Sequence, residues 1–208
     1  MLINLKYLQK KYNLKLDTIL HVGAHTCQEY RKYNACGASS IFWVEGNSQL
    51  VKENKLKLNK PQNTIIEAVV SELDNEPIKF HIANNSQASS ILELGTHKQL
   101  FPNTKYIESI TKHTQKLDTI YSKNCNDMHI DLLNLDIQGA ELLALKGFEE
   151  NLHRVSCIYT EINTDSVYKD CALVEDLDKF LDKFNFSRVE TKMWKDHSWG
   201  DGFYIKKY

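Results

Sequence analysis

Asp136 and Glu141 stand five residues apart in Leu135-Asp-Ile-Gln-Gly-Ala-Glu141, where an apolar run turns through glycine into a helical pattern. Two carboxylates so placed flank a strand-to-helix turn, and either could take a proton from a reacting hydroxyl at the edge of a sheet. Each also has a structural use, since Asp136 could cap the helix and Glu141 could answer its dipole. His25, in the turn His21-Val-Gly-Ala-His25, is a further candidate base, or else a side chain that bonds backbone. Near the carboxyl end of the chain, Glu161 and Asn163, then His197, Trp199 and Asp201, are candidate contacts to an acceptor molecule. Trp194, Trp199 and Tyr204 offer faces that could stack on a sugar, although aromatic residues in a closing hairpin also serve as core.

The glycine turn after the first strand suggests a bound nucleoside. Gly23 would let the backbone approach a ligand, and the N–H groups of the following helix would face it. Glu45 follows Gly23 by 22 residues, at the end of the next apolar run. That spacing suits a carboxylate accepting hydrogen bonds from both hydroxyls of an adenosine ribose. Gly23-Ala-His-Thr-Cys-Gln28 supplies one glycine where a dinucleotide fingerprint needs three, so it wraps a pyrophosphate poorly and disfavours a nicotinamide oxidoreductase. S-adenosylmethionine has no phosphate and needs only an open turn for its methionine portion, and the pattern leans toward it. A non-catalytic module that kept the fold is the alternative.

The elements that must hold these residues follow from hydropathy. Continuous apolar runs over 18–22, 40–44, 63–70, 131–137 and 155–161 predict buried strands. Helical patterns over 26–35, 49–58, 140–147 and 172–184 alternate with them, and Asn47 or Ser48 could cap the second. Residues 3–12 predict a short amphipathic helix within an N-terminal cover, 1–16. From 72 to 114 the helical period fades; 77–82 and 106–110 alternate with period two and predict an antiparallel excursion, with 84–104 as a loop over the site. Strands at 187–193 and 203–206 predict a closing hairpin. The architecture expected is one doubly wound α/β domain, 1–208, with a mostly parallel sheet, helices on both faces and an antiparallel hairpin at its end.

Composition narrows the function classes. With 26 Lys and Arg against 27 Asp and Glu, the formal net charge is −1, so nothing draws the chain as a whole to nucleic acid or anionic membrane. No apolar run nears the roughly eighteen residues of a membrane span. Five cysteines, odd in number and free of any C-x-x-C, predict neither a disulfide framework nor a zinc site, and a reducing cytoplasm is the default. No metal-ligand spacing is present among the acids and histidines.

Val22-Gly-Ala-His25, Trp43-Val-Glu-Gly-Asn47, Glu67-Ala-Val69 and above all Leu135-Asp-Ile-Gln-Gly-Ala-Glu141 resemble, in order, the FkbM family of S-adenosylmethionine-dependent methyltransferases. The resemblance runs from about residue 18 to the end. It implies a Rossmann-like, seven-stranded sheet and O-methylation of a hydroxyl on a sugar, glycan or related small molecule. It further implies that Gly23, Ala24 and His25 line the methionine side of the cofactor, that Glu45 and Gly46 sit at its ribose, and that Glu67 and Ala68 flank the adenine. Ser89 and Ser90 would approach the cofactor from the loop, and Asp136 would lie beside the transferring methyl group. Three positions depart from the family pattern: His21 replaces an acid, Cys27 a glycine, and Gln138 a glutamate.

Overall fold

The computed structural model describes residues 1–207. Its main sheet runs β1 (Thr18–Val22), β2 (Ser40–Glu45), β3 (Asn63–Glu67), then β7 (Ile130–Leu135), β8 (Val155–Asn163), β9 (Phe186–Met193) and β10 (Trp199–Lys206). The seven strands lie in the order β3-β2-β1-β7-β8-β10-β9. Pairing is parallel from β3 to β8, and β10 then runs antiparallel to both β8 and β9. The chain leaves β1 toward β2 and returns on the other side at β7, so the switch point lies between β1 and β7.

Strand residues alternate between two apolar layers. Leu20, Val22, Phe42, Val44, Leu133, Leu135 and Ile158 face one layer, and Ile19, Ile41, Trp43, Leu132, Cys157 and Tyr159 the other. The first layer is covered by α5 (Leu117–Asn124), α6 (Glu141–Lys146) and α7 (Val174–Asp182), and the second by α1 (Leu5–Lys11) and α2 (Tyr30–Ala35). The amphipathic stripe of α7 buries Leu177, Phe180 and Leu181 as expected. On α3 (Ser48–Lys57), Asn47 is the cap, its side-chain oxygen accepting from the N–H groups of Gln49 and Leu50.

The expected strand over 63–70 is broken. The N–H of Ala68 still donates to the carbonyl of Glu45, but the chain then leaves the main sheet. Its continuation, β4 (Val69–Val70), joins β5 (Pro77–Ala83) and β6 (Tyr106–Gln115) in a second, three-stranded sheet. The pairing of β5 with β6 is antiparallel, and β6 runs five residues beyond the predicted strand. The 84–104 connection is not wholly loop, since it carries a 3-10 turn over Ser86–Ala88 and the single-turn α4 (His97–Leu100). No helix among the described residues is long and apolar enough to cross a membrane.

Candidate active site

A cavity of about 780 Å³ opens beyond the carboxyl ends of β1, β2 and β7 and extends under the second sheet. Ligands in open α/β sheets bind at this position. Of the residues singled out from sequence, Gly23, His25, Glu45, Gly46, Ala68, Ser89, Ser90, Asp136, Glu161, Trp199 and Asp201 line it. Ala24, Glu67, Glu141, Asn163 and His197 do not.

The glycine turn that leaves β1 is tied to β2 by its own backbone. Its N–H groups are already used: those of Gly23 and Ala24 donate to the carbonyl of Val44 at 2.9 and 3.0 Å, and that of His25 to Glu45 Oε2 at 2.7 Å. Gly23 is held at φ +88°, and a Cβ there would stand 1.8 Å from the carbonyl oxygen of Asp136. The close neighbour that excludes a side chain is the backbone of Asp136, just past β7. Ala24 is buried in the second apolar layer. The ring of His25 is positioned between Gln28 Oε1 at 3.0 Å and Ser86 Oγ at 2.8 Å.

Glu45 is buried at the cavity wall, its second oxygen accepting from the N–H of Asn47 at 2.7 Å. Burial pushes its carboxyl above the usual range, and the N–H groups of Asn47 and His25 act against that rise. Glu67 turns outward instead, where Lys112 Nζ meets its carboxylate at 2.8 Å. Beside Glu67, the cavity wall is apolar: Ala68, Val69 and Phe80.

Across the sheet, Asp136, Glu161 and Asp201 bring carboxylates from three neighbouring strand ends into the cavity. Asp201 is anchored by the hydroxyl of Tyr159 and the N–H of Leu2. Burial raises the carboxyls of Asp136 and Glu161, Glu161 well above the usual range. Glu141 is fully buried outside the cavity and accepts from the N–H groups of Ile137 at 3.0 Å and Gly139 at 3.3 Å. Its work is to fix the turn that carries Asp136, and burial pushes its pKa up to about 7. Asn163 lies beneath Glu161, with its side-chain oxygen unpaired among the described residues. His197 stacks on Phe101, centroids 5.4 Å apart, and does not reach the cavity. Trp194 and Trp199 do reach it and stack at 5.4 Å and 6°. Tyr204 is core, its hydroxyl donating to Asp178.

Sequence reasoning missed three contributors. Phe80 comes from the second sheet. Tyr168 belongs to a loop without periodicity. Gln138 stood out only as a departure, yet its amide touches both Asp136 and Glu161. His21, a second departure, lies beneath the site: Asn134 Nδ2 is 2.9 Å from its Nε2, and the hydroxyl of Tyr33 is 2.9 Å from its Nδ1. Burial pushes its pKa down to about 4, so the ring is neutral near pH 7. Cys27, the third departure, takes the left-handed backbone at φ 53°.

Solved structures of similar fold include several methyltransferases. TrmK of M. capricolum, in complex with S-adenosyl-homocysteine, aligns at a TM-score of 0.53 and 11% identity over 100% of this chain and 70% of that one. Magnesium protoporphyrin IX methyltransferase of Synechocystis PCC 6803, with bound SAM, gives 0.54 and 12% over 97% and 76%. Methyltransferase FkbM from Methylobacillus flagellatus KT gives 0.57 and 12% over 91% of this chain, which spans 43% of that one. At such identities the likeness is one of fold, and no curated protein matches the chain. The family model for the methyltransferase FkbM domain matches residues 20–188, and the chain belongs to that family. It is a methyltransferase whose methyl donor is S-adenosylmethionine.

The cavity suits that donor. Glu45 could accept hydrogen bonds from a ribose diol, the wall of Ala68, Val69 and Phe80 could cover an adenine ring, and the acidic side chains of Asp136, Glu161 and Asp201 could face a cationic sulfonium.

Proposed function

We propose that the protein transfers a methyl group to a hydroxyl oxygen of a sugar, glycan or related small molecule. One observation carries this reading: Asp136 lies in the cavity with one oxygen, Oδ1, held by Gln138 at 2.7 Å, while Oδ2 receives no hydrogen bond among the described residues. An alcohol must lose a proton as it is methylated, and a carboxylate with a free oxygen at the acceptor side can accept it.

S-adenosylmethionine, when bound, supplies an electrophilic methyl on a positively charged sulfur. The chain does the rest. Glu45 would hold the nucleoside end, and the cavity walls would orient the acceptor hydroxyl. Asp136 Oδ2 would take the proton that the acceptor hydroxyl gives up as it is methylated.

The acceptor side supports a compact hydroxylated substrate. The stacked pair Trp194 and Trp199 offers a flat apolar face beside the acids, as sugar rings require. The three carboxylates oppose a polyanion, and the net charge of −1 offers nucleic acid no general attraction. Five unpaired, buried cysteines fit a reducing cytoplasm. The same reading takes the chain as one catalytic unit, with 1–16 as cover and 72–114 as an insertion that shapes the acceptor side.

The test has two arms. S-adenosylhomocysteine at millimolar concentration should raise the melting temperature, and its failure to do so would remove the site assignment. Methyl transfer from labelled donor to a panel of mono- and oligosaccharides, with amine and nucleic-acid panels beside it, should label hydroxyl acceptors; label on amines or nucleic acid alone would refute O-methylation of a sugar.

A further inference from the structure

Two carboxylates that share a buried site repel each other, and each needs donors that cannot themselves ionise. At the head of β7 and β8 those donors come from one side chain. Gln138 Nε2 lies 2.7 Å from Asp136 Oδ1 and 3.1 Å from Glu161 Oε2. The other end of the same amide is also fixed, because the hydroxyl of Tyr168 donates to Gln138 Oε1 at 2.6 Å. An ionised carboxylate can only accept, and the same amide nitrogen touches both acids, so with either acid ionised the network admits one orientation of the amide, its NH₂ toward the pair. The backbone of Gln138 is held as well: its φ is 57°, and its carbonyl accepts from Ser90 Oγ at 2.8 Å.

Tyr168 ties this clamp to the far wall of the cavity. Its loop pairs with the 84–104 connection through the bridge between Leu94 and Tyr168, and Val167 and Tyr168 both line the cavity. A path of two side chains thus joins the acceptor-side loops to the two acids.

We propose that Gln138 is a positioning residue for methyl transfer, its neutral amide clamping Asp136 and Glu161 together so that Asp136 Oδ2 faces the acceptor, with Tyr168 fixing the amide. This rests on the methyltransferase reading of the cavity. A hydrocarbon at 138 removes both donors. A glutamate at 138 can replace one of them only while protonated, and once ionised it adds a third negative charge. Other titratable groups facing this cluster are Glu141 on α6, Asp201 on β10, His21 on β1, Tyr106 on β6 and the N-terminal amine. All are present in every variant below, so differences between variants report position 138.

The experiment is carboxyl ¹³C titration of the full chain, with thermal unfolding at about pH 5 and pH 8, for wild type, Gln138→Leu, Gln138→Glu and Tyr168→Phe. Gln138→Leu should raise the titration midpoints of Asp136 and Glu161 by at least about one pH unit, a tenfold change in proton affinity. Gln138→Glu should melt with the wild type at pH 5 and several degrees below it at pH 8, a rescue by proton that a packing role would not give. Tyr168→Phe, which keeps the ring and frees the amide, should move the midpoints in the same direction by less. Midpoints unchanged in both Gln138→Leu and Tyr168→Phe, or a Gln138→Glu deficit equal at the two pH values, would overturn the proposal. Binding of S-adenosylhomocysteine to the wild type, followed by calorimetry, separates the two readings: loss of binding refutes the cavity's assignment, and unmoved midpoints in a protein that binds refute the role of Gln138.

Discussion

Glu45 accepts the backbone N–H of His25 at 2.7 Å, so the carboxylate at the end of β2 sets the conformation of the turn that leaves β1. With the N–H of Asn47 on its other oxygen, the side chain spans the two turns that frame one end of the cavity.

Glu45→Gln should therefore weaken S-adenosylhomocysteine binding by about tenfold or more, since a hydrogen bond to a charged group is worth roughly 1.5–3 kcal/mol. Glu67→Ala, which removes a carboxylate paired with Lys112 outside the cavity, should leave the Kd within about twofold. Calorimetric titration of the two variants decides between them, and equal losses would contradict the separation of their roles.

Two glycines of left-handed backbone should respond unequally to alanine. Gly37, at φ +94°, has nothing within 4 Å of an added Cβ, so Gly37→Ala should cost about 1 kcal/mol of backbone strain. At Gly23 the added Cβ meets the Asp136 carbonyl, and Gly23→Ala should cost more than about 3 kcal/mol or prevent folding. Urea unfolding of both variants measures the difference.

Glu141 should make stability fall as pH rises. Burial raises its folded pKa from 4.5 to about 7, so the native state holds its proton more tightly than the unfolded chain. The stabilisation is complete below about pH 4.5 and is lost by about pH 7. Glu141→Gln removes that dependence, and its stability relative to wild type should improve across the interval by up to about 3 kcal/mol. Urea midpoints at pH 5 and pH 8 give the slope, and a constant difference would refute it.

His21 acts with the opposite sign in an overlapping window. Its folded pKa is lowered from 6.5 to about 4 by burial, so the unfolded chain takes up the proton first and stability is lost as pH falls from about 6.5 toward 4. His21→Gln should be less stable than wild type at pH 7, and the deficit should shrink with acidification. A deficit that grew toward pH 5 would show that the ring is charged in the folded protein.

The parts of the fold that were legible are those with a strong period. Apolar runs placed β1, β2, β7 and β8 within two residues, and the stripe Leu177, Phe180, Leu181 placed α7. Helix α5 is not legible although Leu117, Ile120 and Tyr121 are spaced for one face, because eight residues give the period little room. The break at Ala68 was not legible at all, since Val69 and Val70 continue the apolar run of β3 and only tertiary pairing with Thr114 and Gln115 diverts them. Among site residues, motif position found those at strand ends, such as Glu45 and Asp136. Side-chain direction decided the rest: Glu67 and Ala68 are adjacent, yet one points to Lys112 and the other to the cavity.

The cavity is walled by the main sheet on one side and by Val69, Val70 and Phe80 of the smaller sheet on the other, so an occupant touches two separately hydrogen-bonded units. A molecule gripping both must hold them in register, and the free energy of its binding is then shared with the opening of the smaller sheet. Amide protons of β5 and β6, remote from Glu45 in sequence, become the place where slowed exchange with solvent water reports that the nucleoside end is filled.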